Sequence, residues 1–242
     1  MESKLKRILR KIKSFSFVMS SKGSVTFSQY GEDLIMLGFI SKFKVKNITY
    51  LDIGANEPIR LNNTYNLYLR GYSGVLVEPN ADLCTNLKNT RSRDKVLNFG
   101  ISNNNEAEAD YYMFGANNSV YNTFSKESAV ITENEGIPIK KIIKVQLKDI
   151  NDVISENFSG SPTILSLDVE GLDEVILRKL DFDKYQPLLI CVETVNFSLK
   201  NEVFKINSIL DFLTSKGYFI YADTNLNTIF CSRKLLDTLV KN

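Results

Sequence analysis

Short apolar runs alternate with amphipathic helical patterns from about residue 48 onward. Runs such as ILSL and LLICV are continuously apolar, which is typical of strands covered on both faces by helices. We expect strands near 48–53, 74–78, 95–101, 163–168 and 188–193, most of them followed by a helix. Because repeated strand–helix units favour right-handed crossovers, the pattern predicts an α/β fold with a doubly wound, mostly parallel sheet.

Two regions depart from this alternation. NNNEAEADYYMF and IIKVQL read as extended chain around a polar loop, so we interpret residues 103–147 as an insertion. A helix is expected around 202–215, ending near Gly217, and YFIYAD and TIFCSR then predict a hairpin joined by TNLN. A parallel sheet finished by an antiparallel hairpin indicates the Rossmann-like class I methyltransferase sheet rather than a dehydrogenase sheet.

The first residues form a separate basic pattern. KLKRILRKIK places Leu5, Ile8, Leu9 and Ile12 at helical spacing, with cations on the other faces. Such a helix is typical of anionic membrane surfaces, and equally of a helix that docks on its own domain or frays. We therefore predict a basic amphipathic arm over 1–24 and one domain over 25–242.

Bulk properties narrow the class of protein. The net charge of +2 gives no argument for nucleic-acid binding across the whole molecule, and no apolar run approaches the length of a spanning helix. The three cysteines, Cys84, Cys191 and Cys231, are too widely spaced for a disulfide framework or a zinc site. We expect a cytoplasmic protein, with peripheral contact to the inner membrane face as one role for residues 1–13.

Histidine is absent from the chain. This excludes a Ser-His-Asp triad, metal sites with histidine ligands, and the commonest general base near neutral pH. Any proton transfer must use a carboxylate, lysine, tyrosine or water.

The first two predicted strands end in residues that suit a nucleoside. Gly54 follows the first strand, where a glycine lets backbone approach a ligand, although an Asp and Gly after an apolar run also make an ordinary turn. Glu78 lies 24 residues later, close to the spacing at which an acid accepts hydrogen bonds from ribose hydroxyls. One glycine cannot wrap a pyrophosphate, so S-adenosylmethionine fits better than a dinucleotide. Asp52 could meet its ammonium or ribose end, and adenine could lie against Ile101.

Acidic side chains also end the fourth and fifth strands. Asp168 and Glu170 precede Gly171, and Glu193 and Asn196 reach the same edge of the sheet. The first two acids could cap the next helix, or, with Glu193, orient or deprotonate an acceptor hydroxyl. Together with Asn196 they could equally bind Mg²⁺, which prefers oxygen ligands. The sequence leaves these alternatives open, and we assign no metal ligand.

Four segments in order resemble the FkbM-type methyltransferase family: FSQYGEDLIM (27–36), YLDIGANEP (50–58), NNTYNLYLRGYSGVLVEPN (62–80) and LSLDVEGLDEVIL (165–177). The resemblance covers roughly residues 25–195. It implies transfer of a methyl group from S-adenosylmethionine, usually to a hydroxyl oxygen of a sugar or a polyketide-type natural product.

The resemblance also implies roles for individual positions. Asp52 to Asn56 would form the cofactor turn, Glu78 would hold the ribose, and the segment 29–32 would close over the cofactor. The predicted cofactor-binding residues are Gln29, Tyr30, Asp52, Gly54, Ala55, Asn56, Glu78, Pro79, Ile101 and Asp168. The predicted catalytic residues are Asp168, Glu170 and Glu193.

Two other functions fit the chain less well. A nicotinamide-dependent nucleotide-sugar oxidoreductase or epimerase predicts a GxGxxG turn, which the chain lacks. A noncatalytic binding module with a methyltransferase-like fold would have no reason to keep acids at 52, 78, 168 and 170. We therefore predict an O-methyltransferase acting on a carbohydrate, with a small molecule or glycan as its substrate.

Overall fold

The computed structural model describes residues 24–102, 106–169, 171–197 and 203–241. The first half contains α1 (Glu32–Lys42), β1 (Thr49–Ile53), α2 (Tyr65–Leu69), β2 (Ser73–Val77), α3 (Ala81–Thr90), β3 (Lys95–Leu97), β4 (Gly100–Ile101), β5 (Glu108–Met113), a 3₁₀ helix (Ala116–Tyr121) and α4 (Lys126–Asn134). The second half contains β6 (Lys141–Lys148), α5 (Ile150–Asn157), β7 (Ile164–Leu167), α6 (Asp173–Lys179), β8 (Leu189–Glu193), β9 (Val195–Phe197), β10 (Val203–Lys205), α7 (Asn207–Ser215), β11 (Tyr218–Asp223), β12 (Asn227–Ser232) and α8 (Arg233–Lys241). Within those ranges, no helix combines the length and apolar character needed to cross a bilayer.

A seven-stranded sheet in the order β11-β12-β8-β7-β1-β2-β3 forms the centre of the domain. Its strands run parallel except β12, which lies antiparallel to both β8 and β11. The doubly wound sheet with a C-terminal antiparallel hairpin is therefore confirmed. The order reverses between β1 and β7, which is where ligands bind in open sheets of this kind.

Side chains on alternate faces of the strands fill two cores. Leu165 and Leu167 of β7 pack into one core, and Ile164 packs into the other, on the face that α1 covers. Asp168 follows β7 with the same parity as Ile164, so it points toward the α1 face. Polar side chains on the α1 face of the sheet come together where the strands end.

Two predicted elements were wrong in extent. The strand expected over 95–101 is divided: β3 belongs to the main sheet, whereas β4 pairs with β6. Between them, Asn98 donates hydrogen bonds to the carbonyls of Glu78 and Pro79 and turns the chain away from the sheet edge. The helix expected over 202–215 begins only at Asn207, after the short strand β10.

The interpreted insertion forms its own small layer. β5 pairs antiparallel with β6, and β6 also pairs with β4, which connects this layer to the main domain. Tyr112, Phe114 and Ala129 form a separate apolar cluster here. The two segments predicted to be extended correspond to β5 and β6, and the chain between them carries the 3₁₀ helix and α4.

Candidate active site

A cavity open to solvent, about 890 Å³ when the open space at its mouth is included, lies at the carboxyl ends of β1, β2 and β7. The turn after β1 and the exits of β2 and β7 supply one side of its lining. Residues 111, 119, 120 and 122–124 of the insertion supply much of the other. The switch point of the sheet therefore coincides with an open recess, the place where ligands bind in sheets of this kind.

Gly54 forms the turn after β1 with a φ of +83°, a conformation that favours glycine. A Cβ at this position would overlap the carbonyl oxygen of Asp168. Glycine is thus required because the backbone that leaves β1 passes close to the backbone that leaves β7. The sequence suggests that this glycine makes room for a ligand, but the close contact with Asp168 is sufficient to explain it.

Glu78, directly after β2, places a buried carboxylate against the cavity, with 2% of its surface exposed. Its Oε2 accepts a hydrogen bond from the Asn56 N–H at 2.9 Å, and its Oε1 accepts one from the Asn80 N–H at 2.8 Å. Burial raises the pKa of Glu78 to about 7, although both N–H groups favour the ionised form. Because a carboxylate has about four acceptor positions, each oxygen can still accept a ligand hydroxyl.

Apolar side chains line the cavity beside Glu78. Ile101, predicted to contact adenine, lies here, and Pro79 contributes to the same lining. Further apolar and aromatic lining residues include Phe99, Tyr111, Phe124, Leu172 and Ile176. A Cβ on Gly100 would overlap the Phe124 ring, so the insertion packs tightly against β4. The recess thus offers an apolar wall beside a carboxylate, which suits the two parts of a nucleoside.

Asp168 also lines the cavity, on the opposite side of Gly54 from Glu78. Burial and the nearby carboxylates of Asp52 and Glu32 raise its pKa. Among the residues that the structure describes, none donates a side-chain hydrogen bond or salt bridge to it. The carboxylate is available to act on a ligand in the cavity.

Glu193 ends β8, one strand farther along the sheet, and points to the same face as Asp168. Burial and the charges of Asp168 and Asp173 raise its pKa. In the described ranges it is not part of the cavity lining, because β8 lies beyond β7. Glu193 and Asp168 thus lie at the same edge of the sheet, as the sequence predicts, but of the two only Asp168 lines the cavity.

Sequence reasoning overlooked Asp173, which begins α6. It accepts a hydrogen bond from the Val169 N–H at 3.2 Å, and burial together with Asp168 raises its pKa to about 7. It therefore holds the turn that carries Asp168. An acid in the first turn of a helix was the available signal.

The segment before α1 approaches the cavity as predicted, but only in part. Gln29 lines it, whereas the Tyr30 side chain is 62% exposed and does not. Burial opposes ionisation of Glu32, but hydrogen bonds from the Tyr30 N–H, Asn227 and Thr224 outweigh this and lower its pKa. Glu32 therefore ties the segment to the β11–β12 hairpin and does not itself contact a ligand.

Asp52 and Ala55 do not line the cavity in the described structure. Asp52 is buried on the α1 face of β1, where its Oδ2 accepts a 2.6 Å hydrogen bond from Thr64 Oγ1. The Ala55 side chain is buried, and its backbone N–H donates a hydrogen bond to the Val77 carbonyl. Both residues support the turn in the described structure, and the direct cofactor contacts predicted for them stay predictions.

The structure adds lining residues that the sequence did not indicate. Glu57, Arg60 and Leu61 follow the turn and form part of the cavity wall. From the insertion, Ser119 Oγ donates a 2.9 Å hydrogen bond to Asn56 Oδ1. The insertion and the turn are far apart in sequence, so no local pattern could reveal that contact.

Metal binding finds no support in the described part of the chain, which holds no group of three or more acidic or cysteine side chains arranged for an ion. Glu170, the side chain of Asn196 and residues 1–23 of the predicted arm over 1–24 lie outside the described residues. The Mg²⁺ alternative therefore has no observation to carry it.

The sheet order, its antiparallel strand β12 and the cavity at the switch point define a class I methyltransferase. The sequence signature described as the methyltransferase FkbM domain matches residues 52–220. The chain therefore belongs to the FkbM methyltransferase family and is a methyltransferase that depends on S-adenosylmethionine.

Other comparisons add little. No curated protein matches the chain. It is similar to a TehB-like SAM-dependent methyltransferase from Corynebacterium glutamicum (10% identity, 93% of this chain and 97% of that one, TM-score 0.42). It is also similar to a putative O-methyltransferase from Klebsiella pneumoniae (8% identity, 87% and 83%, TM-score 0.44). With identities and TM-scores this low, these similarities do not bear on function.

Proposed function

We propose that the protein transfers the methyl group of S-adenosylmethionine to a hydroxyl oxygen of a sugar, in a surface glycan or a related natural product. The observation that carries the proposal is the buried Glu78 carboxylate, which faces the same cavity as Asp168. An acid for ribose, an apolar wall for adenine and a second acid toward the reacting end fit this cofactor.

The residues of the chain would divide the work between binding and proton transfer. Glu78 would accept hydrogen bonds from the ribose hydroxyls, and Gln29 would approach the cofactor from the side of α1. S-adenosylmethionine supplies an electrophilic methyl group, so the protein mainly has to hold the acceptor oxygen in line with it. Orientation of this kind can supply about 7–11 kcal/mol of barrier reduction.

Asp168 would receive the proton of the acceptor hydroxyl. Its raised pKa brings it closer to neutral pH than an ordinary aspartate, which makes it a better base there. Burial and the charges of Asp168 and Asp173 raise the pKa of Glu193 to about 9, so Glu193 would be largely protonated near neutral pH and would not compete with Asp168 as the base. This arrangement supports proton transfer without histidine.

The binding part of the proposal is tested by calorimetric titration of the full chain with S-adenosylhomocysteine. We expect Glu78→Ala to weaken binding by about 10- to 100-fold, because hydrogen bonds to a charged group contribute about 1.5–3 kcal/mol each. The matched control is Glu156→Ala, which removes an exposed acid on α5 that pairs with Lys148. Equal affinities of all three proteins would refute the assigned cofactor site.

The acceptor is tested in cells. Mass spectrometry of surface glycans with and without the protein should reveal a methyl-sized shift, and Asp168→Asn should abolish it. A protein that binds S-adenosylhomocysteine but leaves every glycan unmethylated would be assigned to another acceptor. Glycans on lipid carriers at the cytoplasmic membrane face are the substrates we propose, with the basic arm over 1–13 as the membrane contact.

A further inference from the structure

Arg91, just after α3, is completely buried and donates hydrogen bonds in four directions. Its Nε lies 2.7 Å from Asp94 Oδ2, and its Nη1 lies 2.9 Å from Asn62 Oδ1. Its Nη2 donates to Thr64 Oγ1 at 2.9 Å and to the Tyr50 hydroxyl at 3.1 Å. A planar guanidinium can serve all four because its donors are fixed in a fork.

Asn62 connects this arginine to the turn above it. Its Oδ1 accepts from both Arg91 and the Thr64 N–H, so its Nδ2 must face the other way. There Nδ2 donates to the carbonyls of Ala55 at 2.9 Å and Glu57 at 3.1 Å. Arg91 thereby sets the orientation of the amide, and the amide holds two carbonyls.

The two carbonyls flank Asn56, the residue whose N–H binds Glu78 Oε2. Asn56 has a φ of 49°, a left-handed conformation that a non-glycine residue keeps only when its surroundings hold it. Asn62 supplies that restraint from below, and Ser119 supplies a contact from the insertion. The direction of the Asn56 N–H depends on both.

We propose that Asn62 and Arg91 are positioning residues for the cofactor: Asn62 clamps the turn at 55–57, and Arg91 orients the clamp. Neither residue lines the cavity in the described structure. The inference rests on the proposed cofactor site, since it concerns how Glu78 is presented to the ribose. It assigns a binding role to residues that would otherwise be read as core.

Asn62→Asp tests the contact of Asn62 with the turn separately from its contacts with Arg91 and Thr64. The new carboxylate can keep both acceptor contacts, to Arg91 and the Thr64 N–H, but it replaces the two donors with an oxygen that repels the carbonyls of Ala55 and Glu57. We expect a loss of stability confined to the turn, because two carbonyls lose their donor. The affinity for S-adenosylhomocysteine should fall about tenfold, the equivalent of about 1.4 kcal/mol. Hydrogen exchange of the ligand-free protein should speed up at 54–57 and stay unchanged in β7 and β8.

Arg91→Lys tests the orientation of the clamp. A lysine has donors on one atom only and cannot reach Asp94, Asn62 and Thr64 together, so affinity should fall here too. The matched control is Arg93→Lys, two residues along the chain, where the side chain is exposed and its guanidinium lies 3.9 Å from the Tyr68 ring centroid. We expect the control to bind like the wild type.

The outcomes separate this inference from the proposed function. If the wild type fails to bind S-adenosylhomocysteine, the cofactor site is refuted, while exchange at 54–57 still decides whether Asn62 clamps the turn. If Asn62→Asp binds normally with normal exchange at 54–57, the inference is overturned. It is also overturned if the loss of affinity accompanies faster exchange throughout the sheet, since that indicates a general loss of stability.

Discussion

Two buried polar regions of the domain differ in how their charges are balanced. The paired network (Tyr50, Asp52, Asn62, Thr64, Arg91 and Asp94) lies below the cofactor turn and contains a cation. The acid group (Asp168, Asp173 and Glu193) lies at the exits of β7 and β8. No described cation pairs with any of its three members.

The difference shows which region serves the fold and which serves a ligand. A buried carboxylate without a cation is costly, and the raised pKa values of the acid group record that cost. Such acids are functional-site candidates when they border a cleft. In the paired network, by contrast, Arg91 and Asp94 satisfy each other, so the network can position the turn without facing the cavity.

Among the changes that test this difference, removal of Arg91 should have the largest effect on stability. Arg91→Met leaves Asp94 buried without its cation, which we expect to lower the free energy of unfolding by about 3–5 kcal/mol. Urea denaturation followed by circular dichroism measures it. Arg178→Met is the matched control, because the partly exposed pair of Arg178 with Glu174 contributes only about 0–1 kcal/mol. Similar losses of stability in both variants would show that the buried pair of Arg91 with Asp94 contributes no more than a partly exposed pair.

Neutralising the acid group should have the opposite effect on stability. Asp168→Asn removes a buried, unpaired charge, so we expect stability at pH 7 to be kept or raised. Methyl transfer to the glycan acceptor should fall by about 10²- to 10⁴-fold if Asp168 is the base. The rate is measured with labelled S-adenosylmethionine, and Asp183→Asn on the surface is the control. A variant that is less stable and fully active would reverse the assignment of the two regions.

The smallest expected effect is the pH dependence at Glu78, which directly follows β2. Its folded pKa of about 7 is above its ordinary value, so its contribution to stability is complete below about pH 4.5 and is lost as pH rises through 7. Glu78→Gln should therefore gain stability over the wild type above pH 7, which urea denaturation at pH 6 and pH 8 measures.

Cofactor binding should follow the ionised form of Glu78. Wild-type affinity for S-adenosylhomocysteine should rise severalfold between pH 6 and pH 8, whereas Glu78→Gln should bind weakly and almost equally at both. Calorimetry at the two pH values measures this. A wild-type affinity that is flat with pH would show that the carboxylate does not accept the ribose hydroxyls.

The sequence by itself determined most strands of the main sheet, the fold class and the positions of the two acids that face the cavity. Continuous apolar runs specify strands buried on both faces, and the carboxyl ends of parallel strands meet at one edge, so Glu78 and Asp168 could be placed there from their positions alone. Their roles in binding and catalysis stay predictions.

Only the tertiary structure decided which polar residues support the turn and which face the ligand. Asp52 looked like a contact residue, but it points into the α1 face and binds Thr64. Arg91 gave no signal, because its partner Asn62 lies 29 residues away and meets it only after β1, β2 and α3 have packed. A periodic pattern reports which face a residue occupies, whereas a hydrogen-bond partner depends on distances that form when separate segments fold together.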